Sequence, residues 1–193
     1  MLRFRSFIGP EIAQVIEPFA RLRIAVFRDW PYLYDGDLDY ERRYLAGYAQ
    51  RDSILVAAYH GERMVGASTG MPLSEHADDF AEALKSFTQD INNAFYCAES
   101  VLLPEFRGQG AYRHFFDARE AHARALNFTY STFCGVLRPD DHLLRPKDHQ
   151  PLDPVWRHFG YSPVPGAIAH FNWRDIGEAQ ETPKPLQFWI KRL

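Results

Sequence analysis

The stretch that most narrows what this chain can fold into is VLLPEFRGQGAYRHFF, residues 101–116. An apolar run meets Pro104, passes through a loop carrying Gly108 and Gly110, and enters a pattern that reads as a helix from about 111 to 126. A helix N-terminus presents unpaired backbone N–H groups and a partial positive charge. Glycines ahead of it let the backbone approach an anion and take turns that a Cβ would forbid. The segment therefore has the parts of a phosphate cradle, although strand–turn–helix units also carry glycine for packing alone. Spacing argues against two nucleotide loops. A Walker loop needs Lys and then Ser or Thr after its second glycine, where this chain has Ala111-Tyr112; a dinucleotide fingerprint needs a third glycine, where it has Arg113.

The neighbouring elements follow from hydrophobic period and turn residues. LRFRSFI, residues 2–8, alternates as a strand does. Pro10 suits the first turn of a helix whose apolar face holds Ile12, Ile16 and Phe19 and runs to Phe27. A turn at Asp35-Gly36 leads to a second helix with Tyr40, Tyr44, Leu45 and Tyr48. ILVAAY and MVGASTGM read as a hairpin about His60–Arg63. Ser74 is placed to cap a third helix with Phe80, Leu84, Phe87 and Ile91 on one face. AFYCAESVLL (94–103) and YSTFCGVL read as buried strands, the second followed by a long loop, RPDDHLLRPKDHQPLDP, over 138–154. Loops of that length are usually functional or mobile. VWRHF is a short helix with Gly160 as its C-terminal cap, and AIAHFNW and PLQFWIKRL are closing strands. This order predicts an α+β (mixed α/β) domain around one central sheet.

At 193 residues, 46% of them hydrophobic, the chain can bury one substantial core, so residues 1–193 read as a single domain. A net charge of −3 and the lack of a basic stripe argue against nucleic acid as partner. No apolar run is long enough to span a membrane, and MLRFRSFIGPE lacks the hydrophobic block of a signal peptide, so a cytoplasmic location is expected. Cys97 and Cys134 lie in apolar runs without a local base; they read as buried thiols rather than a disulfide or a nucleophile.

The glycine loop and its flanks resemble the GNAT acetyltransferase superfamily, whose Arg/Gln-x-x-Gly-x-Gly/Ala signature lies between the fourth strand and the next helix. Arg107 and Gly110 match it, Gly108 matches the common R-G-x-G form, ESVLLPEFRG resembles the strand-then-Pro lead-in, and VWRHFGY (155–161) resembles a weaker element ahead of the sixth strand. The order of elements fits over nearly the whole chain. The resemblance implies a mostly antiparallel twisted sheet of about six or seven strands, with helices on both faces, splayed between the fourth and fifth strands by a bulge. It implies acetyl-CoA as cofactor, with the pyrophosphate on the backbone of Arg107, Gly108, Gln109, Gly110, Ala111 and Tyr112 and the pantetheine arm beside Val101, Leu102 and Leu103. Two positions depart from the pattern. Tyr112 stands where Gly or Ala is usual, and Val155-Trp156 stand where Phe-Tyr is common, which removes a tyrosine often assigned to the leaving thiolate.

Acetyl transfer to nitrogen needs a neutral amine. An amine of pKa about 10.4 is free base only to the order of 10⁻³ at pH 7, a barrier of about 4–5 kcal/mol for a base or a desolvating slot to supply. A thiol of pKa about 8.5 leaves with little help. Glu99 is the candidate base, since strand parity sets it on one face with Phe95, Cys97, Val101 and Leu103 and burial there would raise its pKa. The competing reading is a structural carboxylate bonded to backbone or an arginine. A strand N–H, that of Leu102 or Leu103, is the expected oxyanion donor. On the substrate side, YLYDGDLDYE sets Tyr34, Asp35 and Asp37 in an acidic aromatic rim suited to a cationic amine, or else simply starts a solvated helix. Asp140, Asp141, His142, Asp148 and His149 fit no standard metal spacing, so no metal is assigned and the loop reads as a lid; Arg138 could replace an asparagine that the family often carries after its fifth strand. The leading expectation is an acetyl-CoA-dependent N-acetyltransferase for a small-molecule or terminal amine. The alternative is a fold relative that binds CoA or acyl-CoA without catalysis. A homodimer is compatible with either.

Overall fold

The computed structural model describes residues 1–50, 52–76 and 80–193. Among these residues seven strands form one sheet in the order β1-β2-β3-β4-β5-β7-β6. They are β1 (Arg3–Ile8), β2 (Ile54–His60), β3 (Arg63–Pro72), β4 (Ala94–Leu102), β5 (Tyr130–Val136), β6 (Ser162–Trp173) and β7 (Thr182–Arg192). Every pairing is antiparallel except that of β4 with β5. A parallel pair cannot close through a tight turn; here the crossover is α4 (Ala111–Ala125), entered through the glycine loop.

Helices α1 (Ile16–Phe27) and α2 (Leu38–Ala46) cover one face, where Phe19, Leu22 and Leu45 pack with Leu55, Ala57 and Val101. Helix α4 and the short α5 (Asp153–His158) cover the other, where Phe115 and Phe116 meet Phe95, Cys97 and Phe133. Pro10 opens a 3-10 helix (Gly9–Val15), so only the later part of that predicted helix is α.

The third predicted helix is a correction. Between a 3-10 turn at Leu73–His76 and another at Ile91–Asn93 the described residues hold only a single α turn, α3 (Ala81–Leu84); residues 77–79 of that prediction lie outside the described residues. Phe80, Leu84, Phe87 and Ile91 still share one apolar cluster, with Phe188 at its centre. The burial was legible in the pattern, but a bent chain achieves it without a long helix.

Candidate active site

Strands β4 and β5 pair over only three residues, Ala94, Phe95 and Tyr96 against Tyr130, Ser131 and Thr132, and then separate. The cause is in β4. Its register with β3 passes from Thr69–Glu99 to Met71–Tyr96, so Cys97 and Ala98 together face Gly70. Such a bulge bends and twists its strand. Arg119 of α4 holds it, donating to the carbonyls of Glu99 at 3.0 Å and Thr69 at 3.3 Å. The opened wedge contains a cavity of about 300 Å³ on the α4 side and another of about 130 Å³ on the α1/α2 side. Tyr32, Ala98, Glu99 and Cys134 line both. A reaction centre shared by two ligands from opposite faces of the sheet would lie there.

The bulge also corrects the strand parity. Phe95 and Cys97 face α4, whereas Val101 and Leu103 face α1, because the extra residue reverses the alternation. Glu99 goes with Val101: it is 8% exposed, receives the Thr69 hydroxyl, and is ion-paired with Arg23 of α1. Arg23 in turn donates to Glu41 of α2 at 2.6 Å and lies over the rings of Phe27 and Tyr44, at 4.9 and 5.2 Å. Burial is the largest single influence and pulls the Arg23 guanidinium down, but the charges of Glu41, Tyr48 and Tyr44 and the hydrogen bond to Glu41 together outweigh it, and the net displacement is upward.

At the loop, Gly108 and Gly110 hold φ of +73° and +81°, and among the described residues no atom beyond the chain neighbours lies within 4 Å of where a Cβ would stand on either. The first bond of the helix runs from His114 to the Gly110 carbonyl, which leaves the N–H groups of residues 111–113 without helical partners. The Arg107 N–H is taken by Pro104 at 3.1 Å, so the candidate cradle begins at Gly108. Leu103 also leaves the expected set: its N–H bonds Val65 at 2.9 Å and its carbonyl accepts from Phe106 at 3.0 Å. Alternation in the ladder then turns the N–H groups of Leu102 and Ser100 away from β3, into the wedge, while that of Val101 points to β3. Leu102 is six residues beyond the last β4–β5 pair, at Tyr96, and next to the loop, so Ser100 is the better-placed oxyanion donor.

The ring of Tyr112 does not fill the cradle. It folds against Phe116 and Phe159, at 5.1 and 6.1 Å, and its oxygen accepts the Trp156 indole N–H at 2.9 Å. An indole only donates, so the hydrogen of the Tyr112 hydroxyl remains available on the wall of the larger cavity. Burial raises this phenol above its ordinary range. The pairing of Trp156 with a residue 44 positions away has no local sequence signal. Gly135 gives the indole its space, since a Cβ there would stand 2.6 Å from it.

The acidic aromatic stretch divides. Tyr34 lines the smaller cavity, but Asp35 pairs with Arg174 at 2.7 Å and Arg28 at 3.7 Å, and Asp37 caps α2 by accepting from the Tyr40 N–H at 2.7 Å. The carboxylate that enters the cavity is Glu41. Its helical spacing from Leu38 and Leu45, three and four residues away, is the signal that could have separated it from its exposed neighbours. In the 138–154 loop, His142 and His149 face the Trp30 ring at 5.1 and 5.7 Å, beside the larger cavity. Arg138 clamps Asp175 at 2.7 Å and the carbonyls of Pro31 and Tyr32, a structural role.

No family model matches the sequence, and no curated protein matches it. Solved structures do match, and they show that the chain has the GNAT fold. It is similar to a ribosomal-protein-alanine N-acetyltransferase from Brucella melitensis (TM-score 0.62, 11% identity, 99% of each chain covered). It is also similar to yncA from Salmonella typhimurium, solved with its cofactor acetyl-CoA (TM-score 0.61, 9% identity, 100% of this chain and 94% of that one). A third is the paia N-acetyltransferase from Thermoplasma acidophilum in complex with coenzyme A (TM-score 0.55, 8% identity, 100% and 99%). Among the described residues no helix is long and apolar enough to cross a membrane.

Proposed function

We propose that this protein is an acetyl-CoA-dependent N-acetyltransferase that transfers directly to a small-molecule or terminal amine. The observation that carries the reading is the pair of cavities meeting at the β4–β5 wedge, with Glu99 on both. The residues present fit the cofactor: two glycines with open space where side chains would stand, unpaired helix N–H groups, and β4 N–H groups turned into the wedge.

Acetyl-CoA, when bound, supplies an acetyl group activated as a thioester. The N–H groups of residues 108–113 would receive its phosphates, with Arg107 and Arg113 adding positive charge at an exposed rim. Leu102 would pair with the pantetheine arm. Glu99 is placed to take a proton from the acceptor nitrogen, and the Ser100 N–H to stabilise a developing oxyanion. Tyr112 would direct its hydroxyl hydrogen at a departing thiolate, held in that orientation by Trp156. In this way α4 would supply what the residue at position 156 of α5 no longer can.

One observation favours a second reading, a GNAT-fold protein that holds CoA or acyl-CoA without transferring: the Glu99 carboxylate already meets Arg23 and Thr69. Thermal stability with CoA and acetyl-CoA, followed by release of free thiol over an amine panel, separates the two. A stability shift without thiol release selects the second reading, and no shift at all overturns both.

A further inference from the structure

The smaller cavity has a charge imbalance that its own residues do not correct. Glu41 is 1% exposed; one carboxylate oxygen accepts from Arg23, and the other, Oε1, meets no donor in full hydrogen-bond geometry among the described residues. Glu99 is ion-paired with the same guanidinium. Two buried carboxylates thus share one arginine, and among the described lining residues there is no second Lys, Arg or His. A buried, uncompensated negative charge whose hydrogen bonds are incompletely made is costly unless a cation completes it. Glu41 already reaches the Tyr34 phenol, whose pKa is raised first by burial, then by the Glu41 charge and by a hydrogen bond to that carboxylate.

The walls say what else the cation carries. Tyr34, Tyr40, Tyr44, Phe171 and Trp173 surround the acidic pair. Such rings accept an ammonium over their faces and an apolar body against them. They bring no positive charge to an anion. Arg23 cannot swing to one either, because it is held by both carboxylates and stacked over Phe27 and Tyr44.

We infer that the acceptor is a small primary amine with an apolar, ring-sized body and no carboxylate, its ammonium received between Glu41 and Glu99. This rests on the transferase reading above and narrows its acceptor. Glu41 acts in recognition, by drawing the ammonium in; Glu99, at the junction of the two cavities, is the group that would accept its proton. An α-amino acid is rejected because its carboxylate would enter a pocket whose net charge is already negative.

Phenethylamine and phenylalanine share a body and differ in the carboxylate, so they make the test. With acetyl-CoA and the wild-type protein, thiol release should show kcat/KM on the order of 100-fold higher for phenethylamine. Calorimetry with each amine alone should show binding of phenethylamine only. Glu41→Gln should raise the phenethylamine Kd about tenfold or more and leave the CoA Kd unchanged. Equal or better use of phenylalanine, or an unchanged amine Kd in a folded Glu41→Gln, overturns the inference while leaving the transferase reading standing. Selective binding of phenethylamine without thiol release keeps Glu41 as the ammonium site but overturns its assignment to an acceptor, together with the transferase reading. If Glu41→Gln does not fold, the wild-type comparison decides.

Discussion

Replacing Tyr112 with Phe removes one oxygen that has two separable roles. In the resting protein it accepts the Trp156 N–H at 2.9 Å. Losing it leaves an indole donor unpaired in a part-buried site, about 1 kcal/mol, or a fall in Tm of about 2–4 °C for a chain of this size. In the reaction the hydroxyl would donate to sulfur. Full proton transfer is unfavourable: burial holds the phenol above its ordinary 10.0, while a thiol titrates near 8.5, so moving the proton costs more than about 2 kcal/mol. Tyr112 should therefore act as a hydrogen-bond donor to the thiolate. A bond to a charged partner is worth about 1.5–3 kcal/mol, which predicts a fall in kcat of about 10- to 150-fold. Because the phenol does not titrate below 10, the loss should be constant from pH 6 to 9. The assay is thiol release against pH for wild type, Tyr112→Phe and Trp156→Phe, the last retaining the hydroxyl. A Tyr112→Phe enzyme with lowered Tm and unchanged kcat would refute the reasoning. A loss that vanishes above about pH 8.5 would instead show a true proton donor.

Other expectations follow from single contacts. Gly110→Val places a β-branched side chain at φ +81° and in the open cradle; it should cost about 1–2 kcal/mol of stability and raise the CoA Kd at least about tenfold, measured by calorimetry. Unchanged CoA affinity would remove the loop from the cofactor site. Lys191 holds the buried Glu120 at 2.7 and 2.8 Å, so Lys191→Met should destabilise by about 3 kcal/mol in urea unfolding, and adding Glu120→Leu should recover most of it. Alkali should unfold the protein early. Burial pushes the Cys134 thiol from 9.0 up to about 12 and raises Tyr32, Tyr48 and Tyr96 above 10.0. The unfolded chain releases these protons first, so stability is full below about pH 9 and falls as pH climbs from there toward 12. A urea midpoint that is flat between pH 9 and 11 would contradict this.

The sequence by itself determined what depends on neighbours along the chain. The strand–glycine loop–helix unit is local, because positive φ at Gly108 and Gly110 and the period of α4 are set within a few residues. The hairpin of β2 and β3 is local for the same reason, and the apolar spacing of Phe80, Leu84, Phe87 and Ile91 correctly marked burial even though it overstated a helix. Tertiary structure decided what depends on partners brought from far away. The bulge that reverses the face of Glu99 needs Gly70 opposite and Arg119 above it, and neither is visible from β4 alone. The choice of Glu41 over Asp35 and Asp37 was made by Arg23, Arg174 and a cap, which distribute these three acidic residues between cavity, surface and helix end. The pairing of Tyr112 with Trp156 joins two helices on one side of the sheet. Periodicity reports which side of an element is buried; what a buried polar group meets there is settled only when the sheet has assembled.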